Sequence, residues 1–436
     1  MTVTIPPGPV FGTLEAIPSK SAAHRLLICA ALAEGETFVR CDRTSQDIDA
    51  TIRCLIGMGA GVVREGEGYR VRPVRRGDIP SPCTLDCGES GSTLRFLLPM
   101  VCALGADGSF RMAGRLAQRP MEPLADQLRA HGCTITSRQD RLDFSGQLTP
   151  GTFTLPGDVS SQFISGLLFA LPLLGEGSRL TVTGKRESRG YIDLTLQSLA
   201  DFGVVPRERV DGWDIPGGAY HGPISMAVEG DWSNAAPWLC MGALGGEVTV
   251  TGMDPDSLQG DRAVCEVLAA MGAEVTREGG IVTARPGPLR PAVIDARNIP
   301  DLVPVLAAVA AATPGETRIT GAARLRIKES DRLATTCQTL NALGSDVEET
   351  EDGLLIRGKP RLIGGTVDAQ GDHRVAMLAA VAATVCAYPV TVTGAGAVAK
   401  SYPAFWQDLA RLGKNVIIKN GPGESPRIRQ EGGTHL

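Results

Sequence analysis

The sequence predicts an α/β protein of six repeated units in two domains, with apolar helices inside and sheets outside. Three observations carry this. A polar loop running into a strongly apolar helix occurs six times, at a spacing of roughly 70 residues. Each such helix is followed by a glycine or a turn and a β-branched strand. A second, shorter helix then ends on a glycine in every unit.

The loops read PSKSAAHR, CGESGSTLR, PGDVSSQF, EGDWSNAAP, RNIPDLVP and QGDHRVAM, beginning near Ser19, Gly88, Gly157, Gly230, Asn298 and Gly371. The strands after the first helices are GETFVR, GSFRMAG, GSRLTVTG, GEVTVTG, GETRITG and YPVTVTG, whose alternation gives one buried face. The second helices end at Gly59, Gly132, Gly203, Gly272, Gly344 and Gly413, each suited to a left-handed C′ position. Ala263, Val264, Val267, Leu268 and Met271 illustrate their helical spacing. Two strands such as EVTRE and GIVTARP close the unit, so its order is βαβαββ. First helices apolar on most sides must be buried on most sides. Six units divide most simply into three and three, with the midpoint near Glu229-Gly230-Asp231. From Asn420 the chain is polar and Gly/Pro-rich, which predicts a frayed tail over 420–436.

Composition narrows the function. The 436 residues are 43% hydrophobic and 21% charged, the profile of a globular protein with well-buried cores. Lys and Arg total 43 against 48 Asp and Glu, a net charge of −5, which argues against nucleic acid as partner. Aromatics are 4%, too few for base-stacking platforms. The first residues, MTVTIPPGPVF, read without a secretory leader, and the longest apolar stretch, Val375 to Val390, is shorter than a membrane span. The eleven cysteines lack any CxxC pair, as expected of reduced thiols in the cytoplasm. Cys83 and Cys87 are close but do not make a metal site.

Cations gather where they are electrostatically unwelcome. Lys20, Arg25 and Arg95 sit at helix starts, where the macrodipole favours acids. The same loops hold Ser21, Gly91, Ser160, Ser161, Gln162, Asp301, Asp372 and Arg374, and the loops before the second helices hold Arg119, Ser188, Tyr191, the run RLRIKESDR and Lys400. Free helix N–H groups with added Lys, Arg and Ser form a site for phosphate or carboxylate. Asp301 and Glu329 are acids in this basic company. Asp301 reads either as a first-turn cap or, with Glu329, as an acid–base pair beside bound anions.

Nine segments, SKSAAHR, GESGSTLR, AQRPM, SSQF, SRGYID, IPD, KESDR, GDHRVAM and AKSYP, resemble in order those of the 5-enolpyruvylshikimate-3-phosphate synthase family, also called 3-phosphoshikimate 1-carboxyvinyltransferase. They extend from about residue 11 to about residue 415. The resemblance implies a two-domain inside-out α/β barrel, the enolpyruvyl transferase fold, with residues 1–19 plus 230–436 in one domain and 20–229 in the other. It places the site in a cleft that closes on substrate. It implies transfer of the enolpyruvyl group of phosphoenolpyruvate to the 5-hydroxyl of shikimate 3-phosphate, in the shikimate pathway to aromatic amino acids. No metal, organic cofactor, nucleic acid or membrane is required, and the chain is expected to be a cytoplasmic monomer.

By matching position, Lys20, Ser21, Arg25, Ser160, Ser161, Gln162, Ser188, Tyr191, Asp301 and Lys328 are expected at shikimate 3-phosphate. Lys20, Gly91, Arg119, Gln162, Arg332, Arg374 and Lys400 are expected at phosphoenolpyruvate. Asp301 is the expected base toward the hydroxyl, Glu329 the proton carrier at C3, and Lys20 and Lys328 the stabilisers of developing charge. Arg324 and Glu89 depart from the family pattern, which usually has Asn at both positions. The alternative is UDP-N-acetylglucosamine enolpyruvyl transferase, but its reactive Cys matches Gly114 here, and its Lys-Asn matches Lys20-Ser21. An RNA 3′-terminal phosphate cyclase would need a nucleophilic His, and a non-catalytic repeat scaffold would not concentrate cations at helix starts.

Overall fold

The computed structural model describes residues 1–75 and 77–420, so the expected tail lies, beyond Asn420, outside the described residues. In the second repeat Cys83–Gly88 pairs in parallel with Gly108–Met112, which pairs antiparallel with Arg141–Gly146, and that strand with Cys133–Ser137. The third and fifth repeats build the same sheet, and the described residues contain six four-stranded sheets in all. The alternation seen in the sequence sets their faces: in Glu247–Thr251, Val248 and Val250 are buried and Glu247 is exposed.

Three repeats borrow strands from distant parts of the chain. The first repeat's leading strand is Ser225–Ala227, parallel to Thr37–Arg40. The fourth repeat's is Phe11–Glu15, parallel to Glu247–Thr251. In the sixth, Thr2–Ile5 inserts between Val390–Thr393 and Ile417–Lys419.

The chain divides into two compact units. One comprises Ile17–Asp231 with Asp256–Gly260; the other comprises Met1–Ala16, Trp232–Pro255 and the described residues from Asp261 onward. Along the chain these units change over at 16/17 and 231/232. The short 256–260 segment departs from its sequence neighbours because Leu258 and Gly260 pack against Gly190.

Within the first of these units the helices Lys20–Leu32, Gly91–Ala103 and Ser161–Ala170 are buried along most of their length. Gly91–Ala103 packs closely on Ser161–Ala170, while Lys20–Leu32 is flanked by Gln46–Gly57 and Arg189–Asp201. Gly166 allows the closest approach, since a Cβ there would collide with the carbonyl oxygen of Arg95. In the other unit Trp232–Gly245, Val303–Ala311 and His373–Ala383 pack on one another. Trp238 stacks on Phe405 at 4.6 Å between ring centroids, with Tyr402 and Trp406 edge-on around them.

All six predicted terminal glycines have positive φ, from +78° at Gly203 to +101° at Gly59 and Gly272. One second helix is shorter than its pattern: the fourth repeat's runs Val264–Ala270, with Ala263 in a preceding 3₁₀ turn and Met271 at its C-cap. No helix among the described residues is long and apolar enough to cross a membrane.

Gly166→Ala tests the helix contact by sign. Helix propensity alone would stabilise by up to about 1 kcal/mol. Collision with the neighbouring backbone should instead destabilise by about 1–3 kcal/mol, read as a lowered urea midpoint.

Candidate active site

In the Ile17–Asp231 unit the first-helix N-termini carry one polar cluster. Ser19 caps the Lys20–Leu32 helix, its Oγ accepting from Ala22 N at 3.3 Å. The Lys20 backbone N–H donates to Asp231 Oδ2 at 3.0 Å. Its ammonium donates to Asp47 Oδ2 at 2.9 Å and remains 17% exposed. Asp47 stands in the first turn of Gln46–Gly57, where the dipole also favours it.

Arg25 is buried. Its Nε donates to Thr195 Oγ1 at 2.8 Å, Nη1 to Ser21 O at 2.6 Å and Nη2 to Tyr191 O at 2.8 Å. Its guanidinium carbon lies 5.0 Å from the Phe96 ring centre. Burial pushes its pKa down to about 10, with Tyr191 and Cys29 opposing, so it stays charged at neutral pH. Three of its five N–H groups are therefore spent on the scaffold, which fixes the direction of the remaining two.

The His24 imidazole lies beneath this cluster, Nδ1 2.6 Å from Thr51 Oγ1. Burial first, then Lys20 and Arg25, holds its pKa well below the ordinary value. Ser188 occupies the N-cap of Arg189–Asp201 at φ 53°, ψ 42°, an uncommon conformation for a residue with a Cβ.

Ser90 caps Gly91–Ala103, its Oγ 3.4 Å from Thr93 N. The reason for glycine at 91 is visible in the neighbouring side chain: a Cβ would lie 2.8 Å from Arg119 Nη1. Ser160 caps the third helix by accepting from Gln162 N at 3.3 Å, and Ser161 begins it. The Gln162 side-chain amide bonds to Ser92 Oγ at 2.9 Å and to Arg95 Nη1 at 2.7 Å. This unit thus brings together Lys20, Ser21, Arg25 and Tyr191, sets Gly91 against Arg119, and couples Gln162 to the helix that Gly91 begins.

The other unit centres on Arg332, the first residue of Arg332–Ala342, with a side chain 2% exposed. Its Nε donates to Asp372 Oδ2 at 2.8 Å and Nη2 to Asp372 Oδ1 at 3.2 Å. Nη2 also reaches Glu329 Oε2 at 2.8 Å, and Nη1 reaches Asp301 Oδ1 at 2.7 Å. Asp372 is itself fixed, accepting from Ser330 Oγ at 2.9 Å and capping His373–Ala383 through Arg374 N at 2.9 Å. Lys328 Nζ lies 4.0 Å from Asp301 Oδ1.

Burial alone would raise the Asp301 pKa, but Lys328, Arg332 and Arg374 together outweigh it and hold the carboxyl below its usual range. Arg374 is buried, its Nη1 donating to Ser233 O at 2.8 Å and its Nε having no partner among the described residues. Lys400 ends the turn Ala395–Lys400, buried beside Ser401, whose hydroxyl bonds to Asn234 Oδ1 at 3.3 Å.

The two departures from the family pattern have partners. Glu89 packs against Gly114, where φ is +55° and a Cβ would meet Glu89 Oε1 at 2.5 Å, so a side chain there would be strained and would displace Glu89. Arg324 donates through Nη2 to Arg297 O at 2.9 Å. Sequence reasoning missed Asp47, Thr195 and Asp231, which position the cations. Asp47 carries no distinguishing signal, because first-turn acids are ordinary.

Comparison with known proteins gives one consistent result. Residues 5–409 match the family profile described as EPSP synthase (3-phosphoshikimate 1-carboxyvinyltransferase). The 3-phosphoshikimate 1-carboxyvinyltransferase of Clostridium kluyveri is 40% identical over 421 residues, covering 95% of this chain and 98% of the relative. That of Clostridium perfringens is 40% identical over 415 residues, covering 94% and 98%. Among solved structures, an EPSP synthase of Acinetobacter baumannii superposes with a TM-score of 0.78 at 27% identity, covering 95% of this chain and 99% of the other. The enolpyruvyl transferase NikO of Streptomyces tendae, 21% identical with a TM-score of 0.74 over 95% and 98%, shares the fold.

The Arg332 network should reveal itself in acid. A carboxyl that binds its proton more weakly when folded stabilises fully above about pH 4, the unfolded value, and loses that stabilisation as pH falls toward the lower folded value. Asp301→Asn should cost about 1–3 kcal/mol at pH 7, by leaving Arg332 under-paired, and should flatten the acid limb of a stability–pH profile. Urea titrations from pH 7 down to about pH 3 measure both.

Proposed function

This chain belongs to the EPSP synthase family, the 3-phosphoshikimate 1-carboxyvinyltransferases, and from that premise we propose which residues carry the reaction. The enzyme transfers the enolpyruvyl group of phosphoenolpyruvate to the 5-hydroxyl of shikimate 3-phosphate and releases phosphate. The observation that carries our assignment is that Asp301 and Glu329 share one buried guanidinium, Arg332, beside Lys328 and Arg374. Asp301, held ionised by these cations, becomes a stronger base when arriving anions take up part of that positive charge.

In this reading Asp301 accepts the 5-hydroxyl proton as the oxygen bonds to C2 of phosphoenolpyruvate. Glu329, protonated, gives its proton to C3, forming a tetrahedral intermediate. The C2–O bond to phosphate then breaks, the proton held by Asp301 passes to the departing phosphate, and a C3 proton returns to Glu329 as the double bond re-forms. Lys20 and Lys328 stabilise charge that develops in these steps. Lys20 begins paired to Asp47 and turns part of its hydrogen bonding toward substrate.

The shikimate phosphate and ring are bound by Lys20, Ser21, Arg25, Ser160, Ser161, Gln162, Ser188, Tyr191, Asp301 and Lys328. Phosphoenolpyruvate is bound by Lys20, Gly91, Arg119, Gln162, Arg332, Arg374 and Lys400. Arg332 contributes narrowly, because among the described residues its carboxylate bonds occupy four N–H groups and leave one on Nη1. The unpartnered Nε of buried Arg374 supports a role for that guanidinium in binding an anion. The enzyme works in the cytoplasm as a monomer.

Steady-state kinetics test the assignment. Lys20→Met and Arg374→Ala should keep the fold, by circular dichroism, and lower kcat/KM by roughly 100-fold or more. Gly91→Ala should push the Arg119 guanidinium aside and raise KM for phosphoenolpyruvate roughly tenfold, more than it lowers kcat. Near-normal constants in Lys20→Met or Arg374→Ala would remove those residues from the site. Phosphate release assayed with UDP-N-acetylglucosamine in place of shikimate 3-phosphate should stay at background.

A further inference from the structure

Arg95 is a buried cation at a helix start that neither substrate assignment uses. It is 4% exposed, and its guanidinium carbon lies 5.3 Å from the Phe163 ring centre. Its Nη2 donates to Pro120 O at 3.1 Å, in the segment that carries Arg119. Phe163 and Pro120 thereby hold the fork in one orientation. From that orientation Nη1 donates to Gln162 Oε1 at 2.7 Å.

An amide can flip, and its two ends have opposite hydrogen-bonding character. Arginine only donates, so the oxygen of Gln162 must face Arg95 and the NH₂ must face away. One hydrogen of that NH₂ goes to Ser92 Oγ at 2.9 Å. The second has no acceptor among the described residues. Ser92 and Arg95 lie one helical turn apart on Gly91–Ala103, so the amide is gripped at both ends by the helix whose N-terminus flanks Arg119. Were the amide reversed, its oxygen would confront an incoming anion.

We infer that Arg95 is a positioning residue of the reaction: it locks the Gln162 amide so that an N–H, rather than a carbonyl oxygen, is presented to the bound anion. The inference rests on the reading that Gln162 binds substrate, and it adds what determines the polarity of that contact. Ser92 assists but cannot choose, because a hydroxyl accepts and donates equally well. The choice is made by Arg95.

The test is a double-mutant cycle on the full-length enzyme, with kcat and both KM values measured for Arg95→Met, Gln162→Ala and the pair. Arg95→Met should raise KM for phosphoenolpyruvate on the order of tenfold with a smaller change in kcat, as expected for losing an oriented bond to a charged group. In the Gln162→Ala background the same change should have less than about a threefold effect. Additive effects would overturn the inference while leaving Gln162 a substrate ligand. A neutral Gln162→Ala would overturn both the inference and the ligand assignment.

Gln162→Glu gives a second readout that packing alone would not move. Its carboxylate keeps the hydrogen bond from Arg95, now as an ion pair, and the fold, but replaces the outward donor with an acceptor. KM for phosphoenolpyruvate should rise by more than about tenfold with the thermal midpoint unchanged or higher. Wild-type KM in Gln162→Glu would overturn the inference. Should Arg95→Met not fold, Arg95→Lys retains the charge without the fork and enters the same cycle, with the same coupling expected.

Discussion

A helix surrounded by other apolar surfaces can carry polar chemistry only at its ends, and each unit is organised by that constraint. Gly91–Ala103, Ser161–Ala170, Val303–Ala311 and His373–Ala383 are buried along almost every residue. Their flanks therefore tolerate little that must be hydrated. The N-terminal turns are different, because unpaired backbone N–H groups are already there and need acceptors. Capping serines and aspartates satisfy some of them, and an anionic ligand can satisfy others. Packing first helices on one another thus gathers N–H groups, Lys, Arg and Ser into the same place without any separate device.

The cost of this arrangement is a set of desolvated cations, and the protein meets it by pairing them with acids. Arg332 is enclosed by Asp372, Glu329 and Asp301, while Lys20 leans on Asp47. Breaking a buried pair is far more costly than forming one is favourable, so these contacts enforce geometry more than they add stability. In the proposed reaction they also link binding to reactivity: substrates that bring several negative charges would draw the cations away from Asp301, which would gain proton affinity as it accepts the hydroxyl proton.

Much of this was legible in the sequence because it is written locally. The repeated loops exposed six units, the terminal glycines marked where second helices end, and the clash of cations with the helix dipole pointed to anions. What stayed hidden was non-local. Nothing about TSQDID distinguishes Asp47 from an ordinary first-turn acid, yet it is the partner of Lys20. Gly91 reads as room for a ligand, whereas the side chain nearest to it is Arg119. Arg332 reads as one more cation among RLRIKESDR, and its enclosure by three carboxylates needs Asp301 from an earlier loop of the same repeat and Asp372 from the next. The strand exchange was equally unreadable, since Phe11–Glu15 pairs with a segment more than two hundred positions away.

That strand exchange bears on how the molecule is made. The unit spanning Ile17–Asp231 needs nothing beyond residue 260, so it can close while the ribosome is still extending the chain. Its companion cannot. Thr2–Ile5 emerges long before Val390–Thr393 and Ile417–Lys419 and must wait for them before both its edges are covered. At about 5–20 residues per second that interval lasts tens of seconds, during which the edges of that strand stay unpaired. A strand made early is thus among the last to be sealed, and translation speed sets how long it stays open to the wrong neighbour.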